Sequence, residues 1–178
     1  MRCFWAVCTA TFLLQGAAFA ADPMGEWRVA NGNANIRIDN CDGALWGVIS
    51  WEKEPGGVDA QNPNPAERKR PTLGMPILLA MKPTRPGLWQ GEVYNAENGK
   101  TYDSKISLAS ADVLRIEGCV LGFLCGGENW SRVKPGDTAP TRTAATPAAS
   151  RSAKPAPVLT ACSSVAGGAG AAHKSGLK

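Results

Sequence analysis

The feature that most constrains the fold is a series of short segments with strand character, separated by tight-turn signals. Ala34, Ile36 and Ile38 alternate with polar residues, which is the period of a half-buried strand. Asn-Gly and Asp-Gly pairs separate several of the segments and are typical of hairpin turns. The pattern predicts eight strands, at Glu26–Ala30, Ala34–Ile38, Leu45–Glu52, Pro76–Met81, Leu88–Tyr94, Tyr102–Leu108, Val113–Cys119 and Gly127–Val133.

Tight turns can join antiparallel neighbours but cannot join parallel ones, and most of these segments leave no room for helices between them. We therefore predict an all-β fold, an eight-stranded antiparallel up-and-down barrel. An interior of this size holds side chains or one small ligand. An open sandwich of two sheets is the alternative.

The two ends of the chain differ in composition from the strand-rich part. Residues 1–20 have a basic start, an apolar run and a small-x-small motif at Ala18-Phe19-Ala20, which predicts a signal peptide too short to span a bilayer. Residues 134–178 are rich in Ala, Pro, Thr, Ser and Gly, which predicts a disordered tail. The folded domain is expected at 21–133, the tail is expected to be dispensable for folding, and the protein is expected in the periplasm or secreted, with no transmembrane segment after cleavage.

Charge argues against a nucleic-acid partner. The chain has 19 basic and 15 acidic residues. The signal peptide and tail hold seven of the basic and one of the acidic residues, so the domain keeps 12 and 14, for a net charge of −2. A domain that binds nucleic acid is expected to be basic. The sequence does not determine the oligomeric state.

The distribution of histidine argues against an enzyme. The single histidine, His173, lies in the predicted tail, so neither a histidine-based nucleophilic triad nor a histidine zinc site is expected in the domain. We predict no catalytic residue, no metal and no cofactor. Strand carboxylates at Glu92, Asp103, Glu117 and Glu128 could face one cavity, but exposure to solvent is the favoured interpretation.

About twenty residues separate the third and fourth strands. Within them Asn64 can cap a helical turn that Pro65 begins and Pro71 ends. We predict one short helical turn inserted between strands 3 and 4. A connection of this length is usually functional or mobile, and we expect Asp59–Gly74 to fold over one end of the barrel with Arg70 tied to Asp59.

Two residues at the ends of the domain are candidates for closing the barrel. Trp27 lies in a Gly-x-Trp sequence on the first strand and Arg132 lies on the last strand. This combination resembles the closing signature of lipocalin-type barrels, and the resemblance implies that the eight-stranded barrel is of the lipocalin or calycin type. Trp27 would fill the barrel floor, and Arg132 would lie across its face as a cation–π partner.

An ordered string of motifs resembles the bacterial domain-of-unknown-function family 2147 over nearly all of the domain. The resemblance implies an exported protein with a small lipocalin-type barrel. The motifs are Gly25-x-Trp27, Cys41, Trp51, Asp59-x-x-Asn62-Pro63, Arg70-Pro71, Gly74, Trp89-x-Gly91-x-x-Tyr94, Asn98-Gly99-Lys100-x-Tyr102, Gly118 and Trp130-x-Arg132.

Candidate ligand contacts fall into two groups, each with a structural alternative. Asp59, Asn62 and Arg70 could clamp a polar or anionic ligand at the barrel mouth, or they could only fix the loop. An apolar pocket, or ordinary barrel filling, would use the aromatic residues Trp46, Trp51 and Trp89. Tyr94 and Tyr102 are further candidate contacts.

Four cysteines lie beyond the signal peptide, and an oxidising compartment would allow disulfides between them. We predict a disulfide between Cys119 and Cys125, which flank a short glycine-containing loop. Pairing of Cys41 with either of them is the rival, and the predicted pair leaves Cys41 without a partner in the domain.

These observations together predict a binding module for a small apolar or amphipathic molecule. The alternative is a structural or interaction protein of the cell envelope, with a filled barrel and no ligand. An enzyme is the least favoured class.

Overall fold

The computed structural model describes residues 22–120, 124–134, 137 and 160–168. Eight antiparallel strands form one closed barrel in sequence order, with the last strand returning to the first. This confirms the predicted antiparallel barrel over the open sandwich. The strands are β1 (Gly25–Arg28), β2 (Ala34–Cys41), β3 (Ala44–Glu52), β4 (Pro76–Arg85), β5 (Leu88–Asn95), β6 (Lys100–Ser110), β7 (Val113–Val120) and β8 (Leu124–Arg132).

Because every neighbouring pair is antiparallel, the connections alternate between two ends of the barrel. We call the end with the β1–β2, β3–β4, β5–β6 and β7–β8 connections the upper end, and the opposite end the lower end. The core is formed by inward-facing side chains from most of the strands and by Met75, which directly precedes β4. It comprises Trp27, Ile36, Ile38, Leu45, Ile49, Met75, Leu78, Met81, Ile106, Leu114, Ile116 and Trp130.

The lower end is closed by Trp27 and Arg132. The Arg132 guanidinium lies 4.1 Å from the centre of the fully buried Trp27 ring, a cation–π arrangement. It also donates hydrogen bonds to the carbonyl oxygens of Ala111, Met24 and Asp22 at 2.7–2.8 Å. A Cβ at Gly25, where φ is +116°, would lie 3.0 Å from Arg132 Nη1. The first strand therefore needs glycine at this point.

The barrel is closed less completely towards its upper end. Strand β1 has only four residues, and it pairs with β8 only at Trp27 with Arg132 and at Arg28 with Ser131. Above these pairs, residues 124–129 of β8 are exposed, and no described strand pairs with them on the β1 side. Among the described residues, the β8–β1 pairing that closes the barrel is thus confined to its lower part.

The connection between β3 and β4 contains a three-residue 3-10 helix, Pro65–Glu67, capped by Asn64, whose side chain accepts from the Ala66 amide. The α-helix that the structure describes, α1 (Ala161–Gly168), does not lie between β3 and β4 but near the C-terminus. Among the described residues, no helix has the length and apolar character needed to cross a membrane.

The C-terminal region departs from the prediction of a tail disordered throughout. Residues 161–168 form α1, which packs against β2, β3 and β4. The Ala161 amide donates to Asp39 Oδ2 at 2.8 Å, and Cys162 forms a disulfide with Cys41. Composition did not indicate this packing, because the disulfide that fixes the helix depends on a partner 121 positions away.

The second disulfide joins Cys119 to Cys125, opposite each other on β7 and β8. Neither of these cysteines pairs with Cys41, whose partner lies in the C-terminal region. The loop between them, 121–123, lies outside the described residues, as do the predicted signal peptide and most of the predicted tail.

Candidate functional site

Three side chains converge on the carboxylate of Asp59, which is fully buried. Asn62 Nδ2 and Arg70 Nη2 each donate to Oδ2 at 2.7 Å, and the Tyr94 hydroxyl donates to Oδ1 at 2.7 Å. Three of these four residues belong to the β3–β4 connection, and Tyr94 belongs to β5. We call Asp59, Asn62, Arg70 and Tyr94 the Asp59 cluster. It ties the long connection to the barrel wall.

The base of this connection is held by backbone pairing. The Asp59 amide donates to the Arg70 carbonyl and the Thr72 amide donates to the Gly57 carbonyl, both at 3.0 Å. Beyond this base, the connection rests on the β5–β6 turn. A Cβ on Gly99 would fall 1.8 Å from the Gln61 carbonyl oxygen, and Gly99 has φ of +68°. Only glycine permits this close approach.

The electrostatics of the cluster favour an ionised Asp59 and a neutral Tyr94. Burial alone would raise the pKa of Asp59, but hydrogen bonds from Asn62, Tyr94 and Arg70 outweigh burial and hold this pKa below its ordinary value. Burial and the bond to Asp59 raise the pKa of Tyr94 to about 12. Each partner therefore supports the other's charge state at neutral pH.

Access to solvent differs between the two charged members of the cluster. The Arg70 side chain is 35% exposed, whereas the Asp59 side chain is not exposed. The bonds of Asp59 agree with the loop-fixing alternative, and its role in ligand binding stays a prediction, as does that of Asn62. Arg70 is thus the charged member of the cluster that solvent reaches.

The three candidate tryptophans do not converge on one pocket. Trp89 packs against the core. Trp46 follows the core residue Leu45 on β3 and so points to the outer face. Trp51 also reaches the outer face, where the Arg28 guanidinium lies 5.0 Å from its ring centre. A register shift between β2 and β3 near Ser50 turns Trp51 outward.

The upper part of the barrel interior has a different lining. Val93 pairs with the core residue Leu78 and with Tyr102, so both Val93 and Tyr102 face inward, and each is half-buried. The Tyr102 hydroxyl accepts from Asn98 Nδ2 at 3.0 Å. A Cβ on Gly118 of β7 would lie 3.5 Å from Val93 and 3.8 Å from Tyr102. These residues form an aromatic and aliphatic wall below the β5–β6 turn.

Strand β8 contributes space and a carboxylate to the same interior. Gly126 is opposite Gly118, and Glu128 is opposite the core residue Ile116, so both face inward. A Cβ on Gly126 would meet nothing within 4 Å. The Glu128 carboxylate accepts from Trp130 Nε1. The sequence interpretation did not single out Gly126, and for Glu128 it favoured exposure to solvent over a cavity; the structure places both on the inward face of β8 at exposed positions.

The four strand carboxylates considered in the sequence do not share one cavity. Glu92 is opposite Asp103, and Glu117 is opposite Lys105, all on the outer face, whereas Glu128 faces inward. Over the described ranges, no three side chains of His, Cys, Asp or Glu converge closely enough to hold a metal ion.

Comparison with known proteins identifies a family and a fold. The model of a family described as "Uncharacterized protein conserved in bacteria (DUF2147)" matches residues 25–132, which confirms the resemblance found in the motifs. A solved structure, protein HP1028 from Helicobacter pylori, described as belonging to the lipocalin family, is similar with a TM-score of 0.61 at 18% identity. The match covers 66% of this chain and 86% of that chain. No curated protein sequence matches the chain significantly.

Proposed function

This chain belongs to the bacterial DUF2147 family, and we propose that it binds a small apolar or amphipathic molecule in the upper part of its barrel. The observation that carries the proposal is the open space beside Gly126, a residue that the register places on the inward face of β8 and where an added Cβ meets nothing within 4 Å. Ligand sites in barrels lie at their mouths. The lipocalin-like fold supports the same class of function.

In this proposal the lower half of the interior stabilises the fold and the upper half contacts the ligand. Buried side chains, including Trp27, Ile106 and Leu114, fill the lower half and supply stability. In the upper half, Val93 and Tyr102 offer apolar surface to the ligand, and Glu128 offers a polar group. A ligand with an apolar body and a polar end fits this division.

The Asp59 cluster acts in this proposal as a rigid rim. Its hydrogen bonds hold the long connection against the β5–β6 turn, so that little entropy is lost when a ligand enters. Arg70 is partly exposed at this rim and is suited to an anionic group of the ligand. The buried carboxylate of Asp59 positions Arg70.

Replacement of Gly126 by phenylalanine is expected to fill the upper interior and abolish ligand binding. Because the space there is empty, we expect the thermal midpoint of unfolding to change little. Binding is measured by fluorescence titration with the uncharged apolar probe N-phenyl-1-naphthylamine. Asn129→Phe is the matched control, since Asn129 is an exposed residue of the same strand on the opposite face.

The alternative function, a structural or interaction protein with no ligand, predicts a different outcome. The wild-type protein would then not bind the probe, and native mass spectrometry of protein purified from the periplasm would find no bound small molecule. Equal binding by the wild type and Gly126→Phe would also reject the interior site.

We further propose that the protein is exported to the periplasm or secreted. The two disulfides support an oxidising compartment. N-terminal sequencing of the protein from the periplasmic fraction is expected to begin at Ala21. Recovery of the full-length chain in the cytoplasm with free thiols would contradict this.

A further inference from the structure

We propose a second binding site, for a ligand with anionic groups, on the outer face of the barrel near its lower end. A concavity of about 840 Å³ lies there. Strands β5, β6 and β7 form its floor, and the β4–β5 turn forms one wall. Its lining includes Arg85, Leu88, Gln90, Lys105, Ser107 and Arg115, together with Glu117.

The strand register separates this concavity from the barrel interior. Lys105 and Ser107 flank the buried core residue Ile106, and Arg115 lies between the core residues Leu114 and Ile116. Because side chains alternate along a strand, Lys105, Ser107 and Arg115 point outward. A ligand bound here would not compete with one bound in the interior.

The charge of the concavity is positive although the domain as a whole is not. Lys105 Nζ lies 2.7 Å from one oxygen of Glu117, and Arg115 Nη2 lies 3.4 Å from the other. The hydrogen bond from Lys105 and the nearby charges lower the pKa of Glu117, so this group remains a carboxylate at neutral pH. Three cations facing one carboxylate leave a net charge of +2 along the lining.

The spacing of the cations indicates the shape of the ligand. Leu88, Ser107 and Arg115 are opposite one another on three adjacent strands, so Leu88 and Arg115 are separated by two strand spacings, about 10 Å. Arg85 pairs with Leu88 across the turn. The two guanidinium groups therefore belong to opposite sides of the floor, where they suit anionic groups at the two ends of an extended ligand.

The floor between the two arginines can bind polar groups. The side chains of Gln90 and Ser107 make no hydrogen bond to any residue that the structure describes. Glu92 and Asp103 face each other on the outer face, two residues along β5 and β6 from Gln90 and Lys105 towards the upper end. Their negative charges repel an anion, so anion binding is confined to the part of the outer face nearer the lower end. The ligand class is thus a short anionic chain, either a glycan carrying carboxylates or a polyphosphate.

Isothermal titration calorimetry at low salt tests the site with three probes on the full chain. Trigalacturonate carries carboxylates on a glycan, tripolyphosphate carries phosphates without a sugar, and maltotriose is an uncharged glycan. Binding of trigalacturonate alone identifies an anionic glycan, and binding of tripolyphosphate identifies phosphate as the recognised group. We expect the binding to weaken as salt is added, because exposed charges are screened. Absence of binding by both anions, or equal binding by maltotriose, would overturn the proposal.

Three variants locate the binding. Arg85→Gln combined with Arg115→Gln is expected to weaken it at least about tenfold, the effect of losing charge-assisted hydrogen bonds. Glu117→Gln is expected to strengthen the binding, since the change removes the carboxylate that pairs with Lys105 and Arg115. Arg37→Gln is the matched control. Arg37 pairs with an acid two residues later as Arg115 does, and its exposure is 36% against 37% for Arg115.

Two variants distinguish loss of the site from loss of folding: the control Arg37→Gln, and Glu117→Gln, which is expected to strengthen binding. Equal weakening by Arg37→Gln would show nonspecific attraction to the protein's surface. Unchanged binding in Glu117→Gln and in the double arginine variant would place the anion elsewhere. Either result rejects the outer site, and neither affects the proposed interior site, which is read by the uncharged probe.

Discussion

Replacement of both Cys41 and Cys162 by serine is expected to lower the free energy of unfolding by about 4–5 kcal/mol. The disulfide joins residues 121 positions apart, and a cross-link that closes so long a loop removes much entropy from the unfolded chain. Loss of the bond also frees α1 from the outer face, where Ala161 is buried. Equilibrium urea denaturation under non-reducing conditions measures the change.

The second disulfide provides a matched control for this prediction. Cys119 and Cys125 are six positions apart, so the double serine variant at these positions is expected to lose only about 2 kcal/mol on the same loop-closure model. A chain ending at Val133 with Cys41→Ser should behave like the Cys41 and Cys162 variant. An unchanged urea midpoint in that shortened chain would mean that the C-terminal region is dispensable and that α1 contributes no stability.

The strands could be predicted from the sequence because their signals are local. Alternation over a few residues marks Ala34–Ile38, and an Asn-Gly pair marks the turn after β5. The features that were missed depend on distant partners. No local pattern indicates that Cys162 would meet Cys41, or that an Ala- and Ser-rich segment would dock on the barrel.

The candidate site was predictable only in part, for the same reason. The pairing of Arg70 with Asp59 lies within one loop and was anticipated from its sequence. The bond from Tyr94 crosses 35 positions, and it depends on how the loop rests on the β5–β6 turn. Trp51 was a candidate either for a ligand pocket or for barrel filling, and the register shift beside it turns its side chain to the outer face. A change of one residue in register reverses the face of every side chain that follows.

Replacement of Asp59 by asparagine is expected to lower the free energy of unfolding by about 3 kcal/mol. The change removes the charge that accepts hydrogen bonds from Asn62, Arg70 and Tyr94 at a fully buried position, and buried donors left without a charged acceptor are costly. Chemical denaturation at pH 7 measures the loss.

Variants of the partners rank the contributions to this cluster. Tyr94→Phe removes one bond to a charged group and is expected to cost about 2 kcal/mol. Arg70→Ala is expected to cost about 1 kcal/mol, because its guanidinium is partly exposed and its ion pair is screened by solvent. A loss in Arg70→Ala that exceeds the loss in Asp59→Asn would contradict the view that the buried carboxylate organises the cluster.

The pH dependence of the same variant distinguishes the charge of Asp59 from its shape. The folded-state pKa of Asp59 is lowered, so its charge contributes stability above the unfolded-state pKa of about 3.9. This contribution is lost as the pH falls through the lower, folded-state pKa. The stability gap between the wild type and Asp59→Asn should therefore be constant near neutral pH and shrink in acid. A gap that stays constant down to pH values at which the wild type unfolds would show that packing, and not the carboxylate charge, holds the long connection on the barrel.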